Sequence, residues 1–533
     1  MPSTYFMKHY LLFTFLLFFL GLKAQDSNLE IIKSKVFSDE KYKTSLLFAK
    51  EDSNGDIFLV RNYYKSVASP IGYYIEHYNK ELDLLKSEKV EVNRSELRGI
   101  YINNSEVILL QFKYIQKEKK YTFVTLTSKK EEFNFIEKEV FSIDRDKIKR
   151  YDYFGIRKEI EFNYLKEYKF GEVIESDNKK FIAINLFVKT DNKLDRFQIT
   201  VFNDKFEKVF EHILDKIVTP DKSKEPIIHY QNIELDNNGN IYLLGKVFNI
   251  VSKKEKAEGS PKYKYQLFKI NKQGQKQIHI NNSDYLINKL HLVIKNNNPT
   301  CIGFYKIKDY NDPLIPKKTS KKGVVKITID GDSGEVLLKS YKPFPKDLFK
   351  NSFGEIINPI NVNFKSNDIK IKNSVINKND IVINCEESII VTNDYGQASF
   401  NYGDIISFKI NSNGELIWVK GIQKKQGTGK LDNLAYVSFA SLTKNNLNYF
   451  LFNASEIKQL KNNKSLFKLK KNKRNLYVYT INDRGDENYK LLDPDKLNNI
   501  NVEVRFGVLL KENSILLEAE SNDKPLLVKI TKN

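Results

Sequence analysis

The sequence predicts an all-β chain folded as a single β-propeller. Three observations carry this: a strand–turn–strand unit that recurs along the chain, a second turn motif upstream of each unit, and an unpaired strand at either end. Of 533 residues, 41% are hydrophobic and 13% aromatic, and 36 Phe with 30 Tyr suit strands, where flat rings pack on cross-strand neighbours. Length alone does not force several domains, because propellers exceed ordinary domain size in one architecture.

The clearest units are Tyr265 to Asn271 followed by Gly274, Ile405 to Asn411 followed by Gly414, and Tyr477 to Asn482 followed by Gly485. In each, Gly lies three residues after Asn, where a hairpin turn asks for positive φ. Looser copies are Ile327 to Asp330 with Gly334, Ile199 to Asn203, Tyr74 to Asn79, and the hairpin around Thr125 to Thr127. The upstream motif is a polar turn leading into an apolar strand, best seen from Asp52 to Val60 and from Asp236 to Leu244. Together they read as four-stranded antiparallel meanders. From Tyr78 to Ile530 seven steps give a repeat of roughly 65 residues, longer than that of WD40 units.

The ends complete the reading. Leu526 to Thr531 begins a hairpin that has no partner after it, and Leu29 to Phe37 precedes the first full unit. The N-terminal strand is therefore expected to complete the last blade, hiding edges that would otherwise template aggregation. Seven to eight four-stranded blades are expected, eight preferred, spanning residues 25–533.

Residues 1–24 are expected to be a secretory signal peptide: Lys8 and His9 precede the apolar run Leu11 to Leu20, and cleavage after Ala24 leaves Gln25 as the mature start. The run is short for a spanning helix, although an uncleaved anchor is the alternative. The protein is accordingly expected to be exported, to periplasm or exterior, with no transmembrane helix after cleavage. Cys301 and Cys385 are the whole cysteine complement, which excludes a disulfide framework and a CxxC metal site; two buried free thiols are expected, with a pairing of the two after export the alternative that spacing does not decide.

The turn from Asp236 to Tyr242 resembles that of exported bacterial β-propellers in the broad NHL and quinoprotein-like group, and Asn411 to Trp418 is similar to their turn into an outer strand. The resemblance implies fold, not activity. A quinoprotein is expected to carry a tryptophan in blade after blade; Trp418 stands alone, so no cofactor is expected.

Net charge is +20. A basic balance attracts nucleic acid, anionic lipid or acidic polysaccharide, while an A- and T-rich genome also fills surfaces with Lys and Asn regardless of function. The long segments fall on the propeller face opposite the tight turns, and they are basic: Lys253, Lys254 and Lys256 in one; Lys317, Lys318, Lys321 and Lys322 in another; Lys461, Lys464, Lys468, Lys470, Lys471, Lys473 and Arg474 in the richest. Loops on a rigid scaffold commonly carry binding residues, so these form the candidate site. An anionic polysaccharide or an envelope protein is the expected partner, and no specific nucleic-acid motif is present.

Catalytic and metal readings are weaker. His77, His212, His229, His279 and His291 show no ligand spacing, Asp330 to Glu335 lacks a calcium loop, Gly427 to Lys430 lacks the full phosphate-loop spacing, and there is no GxSxG. A non-enzymatic binding propeller is therefore expected. The alternative is a glycosidase or lyase whose carboxylates come from different blades around the central channel.

Overall fold

A computed structural model describes residues 29–37, 43–66, 69–91, 95–103, 105–148, 172–190, 195–217, 226–248, 263–280, 285–307, 322–345, 369–377, 379–392, 398–428, 431–460, 465–470, 474–511 and 513–532. The expected signal peptide lies outside the described residues. Among the described residues regular structure is strand, broken only by two short 3-10 turns. Among the described residues no helix is long and apolar enough to cross a membrane.

The strands form antiparallel meanders over 43–91, 95–144, 172–217, 227–280, 285–343, 369–422, 440–491 and 500–532. Counted as continuous hydrogen-bonded sheets, the propeller has seven blades and not the preferred eight. The difference lies in one place. The fourth strand of the third meander, Lys208–Ile217, slips register after Gln198 and brings Ile217 alongside Ile227, joining two meanders into one eight-stranded sheet. Strand Leu29–Lys33 lies antiparallel to Lys524–Lys532, with Ile31 opposite Ile530, and supplies the fourth strand of the last sheet.

First strands surround the axis and fourth strands face outward. Lys50, on the first strand of the first meander, pairs at 2.8 Å with Glu175 on the first strand of the third, passing over the second. Fourth strands such as Leu84–Glu91 are mostly exposed. Apolar clusters fill the faces between successive meanders: Phe58, Val60 and Ile75 meet Val107 and Leu109 between the first and second. Leu46, Ile57 and Leu59 of the first likewise meet Leu516 and Leu527 of the last. Cys301 and Cys385 are free thiols in this core, and burial pushes each up to about 12.

Two polar devices repeat. First strands carry a bulge, at Leu46/Phe48, Leu97/Gly99, Tyr230/Asn232, Ile287/Lys289 and Ile371/Asn373. A bulge leaves backbone groups without ladder partners, which must be met some other way. Here the preceding meander supplies side chains: Glu518 accepts from Leu46 N at 2.6 Å, the Tyr73 hydroxyl accepts from Leu97 N at 3.1 Å, and the Tyr263 hydroxyl donates to Ile287 O at 2.8 Å.

The second device is a lysine clasp on the tight-turn rim. Third-strand lysines reach the following meander's turn: Lys269 to Gly331 O, Lys326 to Asn411 O at 2.6 Å, Lys409 to Asp483, and Lys529 of the last meander to Lys80 O of the first at 3.3 Å. The glycines expected at positive φ are there: Gly274, Gly414 and Gly485 at 123°, 78° and 85°. Trp418 donates to Asp483 O at 3.2 Å and serves packing.

Candidate functional site

Of the candidate lysines, Lys253, Lys254, Lys256, Lys317, Lys318, Lys321, Lys461, Lys464, Lys471 and Lys473 lie outside the described residues. Lys322 opens a third strand, paired in register with Lys306. Arg474 is spent on packing: it stacks 3.6 Å from the Tyr436 ring centroid and donates to Asn433 at 2.9 Å, at the junction with the last meander, where the Tyr436 hydroxyl donates to Glu520 at 2.6 Å.

Lys468 and Lys470 belong to something the repeat did not foresee. Part of the richest of the segments expected as loops folds into a hairpin, Glu456–Gln459 with Ser465–Lys468, and docks in parallel on the strand Lys424–Thr428, which extends the sixth meander from Ala398–Ile410. The register sets Lys425 directly opposite Lys468, a like-charged pair that costs rather than contributes stability. Lys468 is held below its ordinary value by desolvation and then by Lys458 and Lys425, with Glu456 the opposing charge. Lys470 pairs with Glu456 at 2.7 Å.

The ribbon is anchored from beneath. Lys424, next to Lys425, points inward and pairs with Glu386 at 2.6 Å, the two side chains 0% and 1% exposed. Ser438 donates to the same carboxylate from a backbone at φ 77°, and its N–H donates to Gln426 at 2.7 Å. A serine there is strained, and this network of buried bonds holds it in place.

A second basic group lies at the loop-side end of the fourth meander. Cross-strand register aligns His229, Lys246 and Tyr265 in one row and Ile227, Phe248 and Tyr263 in the next, all on one face because side chains alternate along a strand. The Lys246 ammonium stands 4.5 Å from the Tyr263 centroid and 5.4 Å from that of Tyr265. Desolvation, then the charge of Lys289, brings Lys246 down to about 8, and burial with Lys246 lowers His229. Burial, then Lys289, brings His291 down to about 4.

Around the axis sits an acidic group. Tyr230 donates to Glu172 on the neighbouring first strand, and Asn232 donates to Glu234 at 3.4 Å. Burial, reinforced by Glu172 and Asp177, raises Glu234 to about 8, so it is mostly protonated at neutral pH. Among the described residues no group of three or more His, Cys, Asp or Glu is placed to hold a metal ion.

Sequence reasoning missed Lys425, Lys458, Lys246 and the Glu172–Glu234 pair. Only the alternation of the fourth meander, with His and Lys close to strand ends rich in Tyr and Phe, offered a signal for any of them.

Strand pairing makes the chain a β-propeller. No family model matches it, and no curated protein matches it in sequence, so the resemblance to NHL and quinoprotein-like propellers does not extend to a family. Among solved structures it is similar to the β-propeller domain of the Trilobed protease from Pyrococcus furiosus, at 9% identity and TM-score 0.34, over 85% of this chain and 99% of that one. It is also similar to the Penicillium chrysogenum α-L-arabinanase complexed with arabinobiose, at 9% identity and TM-score 0.27, over 74% and 98%. An α-L-arabinofuranosidase from Fusarium graminearum matches at 9% identity and TM-score 0.26, over 85% and 97%.

Proposed function

We propose that this is an exported β-propeller that binds an anionic glycan through its loop-bearing side and performs no chemistry on it. The observation carrying the reading is the ribbon: Lys425 and Lys468 face each other in register with Lys458 and Lys470 close by and Glu456 the carboxylate among them, a cluster that keeps a net positive charge for an anion to offset. Export rests on the apolar segment of residues 11–20 and its small-residue exit at Ala24.

The expected behaviour is retention on heparin that weakens with salt and is largely lost in the triple variant Lys425→Glu, Lys458→Glu, Lys468→Glu. Equal elution of the variant and the parent rules the ribbon out. A mature chain recovered from the expressing bacterium with an N-terminus other than at or near Gln25 rules out the expected leader cleavage.

A second reading, favoured by the acidic group, is cleavage of a glycosidic bond, with protonated Glu234 as general acid and Glu172 as the second carboxyl. It requires that Glu234→Gln abolish turnover of an acidic polysaccharide. Absence of any reducing-end release by the parent protein removes it.

A further inference from the structure

The first meander meets the last along a seam that carries its own buried charges. Arg61 donates to Glu76 through Nε at 2.9 Å and Nη2 at 2.5 Å, and the last meander brings Glu518 into the field of the same guanidinium. Arg61, Glu76 and Glu518 are each 3% exposed. Glu518 is fixed to the bulge of the first meander, accepting from Thr44 Oγ1 at 2.7 Å and from Leu46 N at 2.6 Å. The N-terminal segment covers the group, with the Phe37 ring 3.5 Å from the guanidinium carbon. That segment is itself tied to the last meander, through Ile31 opposite Ile530, Ser34 N donating to Leu527 O at 3.0 Å and Phe37 N donating to Pro525 O at 2.8 Å.

Two carboxylates therefore share one buried cation, whereas Lys424 meets Glu386 and Lys130 meets Asp52 one to one. A surplus buried negative charge is costly, and one bound proton removes it. Of the groups that face Glu518, Tyr64 and Tyr78 are held above their ordinary value by burial and stay neutral through the physiological range. In its own meander Glu503 stands opposite it in register and Glu520 follows two residues on, and both are acidic. Lys529, farther along the seam, pairs with Glu51 at 3.6 Å. Burial, ahead of the opposing pull of Arg61, lifts Glu518 above its ordinary value.

We propose that this seam is a pH-operated latch, shut while Glu76 and Glu518 hold one proton between them and loosened when it leaves. The inference is independent of the glycan reading. Because Glu518 is raised from 4.5, the contribution of the proton is complete below pH 4.5 and is lost as pH rises through the folded value. The N-terminal strand is expected to give way first, because Leu29–Lys33 buries a single side chain, Ile31, and Phe37 leans on the guanidinium.

Hydrogen exchange of the purified protein at pH 5.5 and 8.5, corrected for the intrinsic rate at each pH, tests this. Protection of residues 29–37, 43–51 and 524–532 is expected to fall roughly tenfold or more relative to strand Glu106–Ile115 of the second meander. Glu518→Gln offers an oxygen to Leu46 N and an amide donor to Thr44 Oγ1, as a protonated carboxyl does, and is expected to keep protection equal at both pH values. Glu76→Gln leaves Arg61 to Glu518 alone and is expected to do the same, which decides the matter where the first variant does not fold. Equal protection of the parent at both pH values overturns the latch. So does a loss in both variants that matches the parent's, or a loss that residues 106–115 share in full, which marks global unfolding.

Discussion

The lysines of the tight-turn rim and those of the loop-bearing side differ in what they face. On the rim, Lys326 and Lys529 reach backbone carbonyls of the following meander, and Lys409 reaches Asp380 at 2.8 Å as well as Asp483. On the other side Lys425 faces Lys468. A genome bias toward lysine would scatter charge without regard to face. The difference teaches that the described lysines serve two ends, some joining meanders and those of the ribbon gathering like charges at a cost.

The sharpest break of that contrast is within one dipeptide. Lys424→Met strands Glu386 as an unpaired buried carboxylate and is expected to destabilise the fold by about 3–5 kcal/mol, read from urea unfolding. A loss below about 1 kcal/mol means that the inward lysine is no anchor, and the ribbon then has no scaffold to hold its charges together.

The acidic group around the axis gives the next effect, with a definite sign. Glu234 is raised from 4.5 to about 8, so the folded state keeps a proton that the unfolded state releases; its contribution is complete below pH 4.5 and lost as pH rises toward 8. His291 is depressed from 6.5 to about 4, so its contribution is complete above pH 6.5 and lost as pH falls toward 4. The two oppose each other from 4.5 to 6.5; toward pH 8 Lys246 and Lys326, both lowered to about 8, begin to release protons earlier in the folded state and oppose Glu234, so Glu234 is isolated by the difference between the parent and Glu234→Gln from pH 6.5 to 8. There the parent protein is expected to lose about 2 kcal/mol that Glu234→Gln does not lose. Parallel curves for the two proteins in urea unfolding at pH 6.5 and 8 contradict the protonated state.

On the rim the expected effect is smaller. Lys409→Met is expected to cost about 1–2 kcal/mol, because Asp380 and Asp483 keep partial access to water when their partner goes. An unfolding midpoint equal to the parent's makes the clasp an incidental contact.

The fold was legible where local chemistry repeats. Asn-x-x-Gly marks hairpins because the backbone at Gly414 and Gly485 turns left-handed, and the two lone end strands announced their pairing, Ile31 with Ile530. The blade count was not, because one register slip that joins Ile217 to Ile227 leaves no mark on strand periodicity. The site was legible only as charge. A parallel contact between Lys425 and Lys468 joins segments that carry no shared pattern, and a bulge such as that between Ile287 and Lys289 adds a residue that alternation alone does not reveal. Glu172 and Glu234 come from different meanders and meet only because folding sets their first strands side by side.

The smallest expected effect is the most discriminating for the contrast between the two sides. Lys425→Met removes an exposed charge whose cross-strand neighbour is Lys468, so stability is expected to stay within about 0.5 kcal/mol of the parent or to rise, the reverse of the Lys424 result one residue earlier. The same substitution is expected to lower the salt concentration that elutes the protein from heparin, because a charge in a cluster acts on an anion together with its neighbours. A variant that unfolds more easily and elutes unchanged would place Lys425 with the structural lysines of the rim, and the division of the positive charge into two populations would no longer hold at the ribbon.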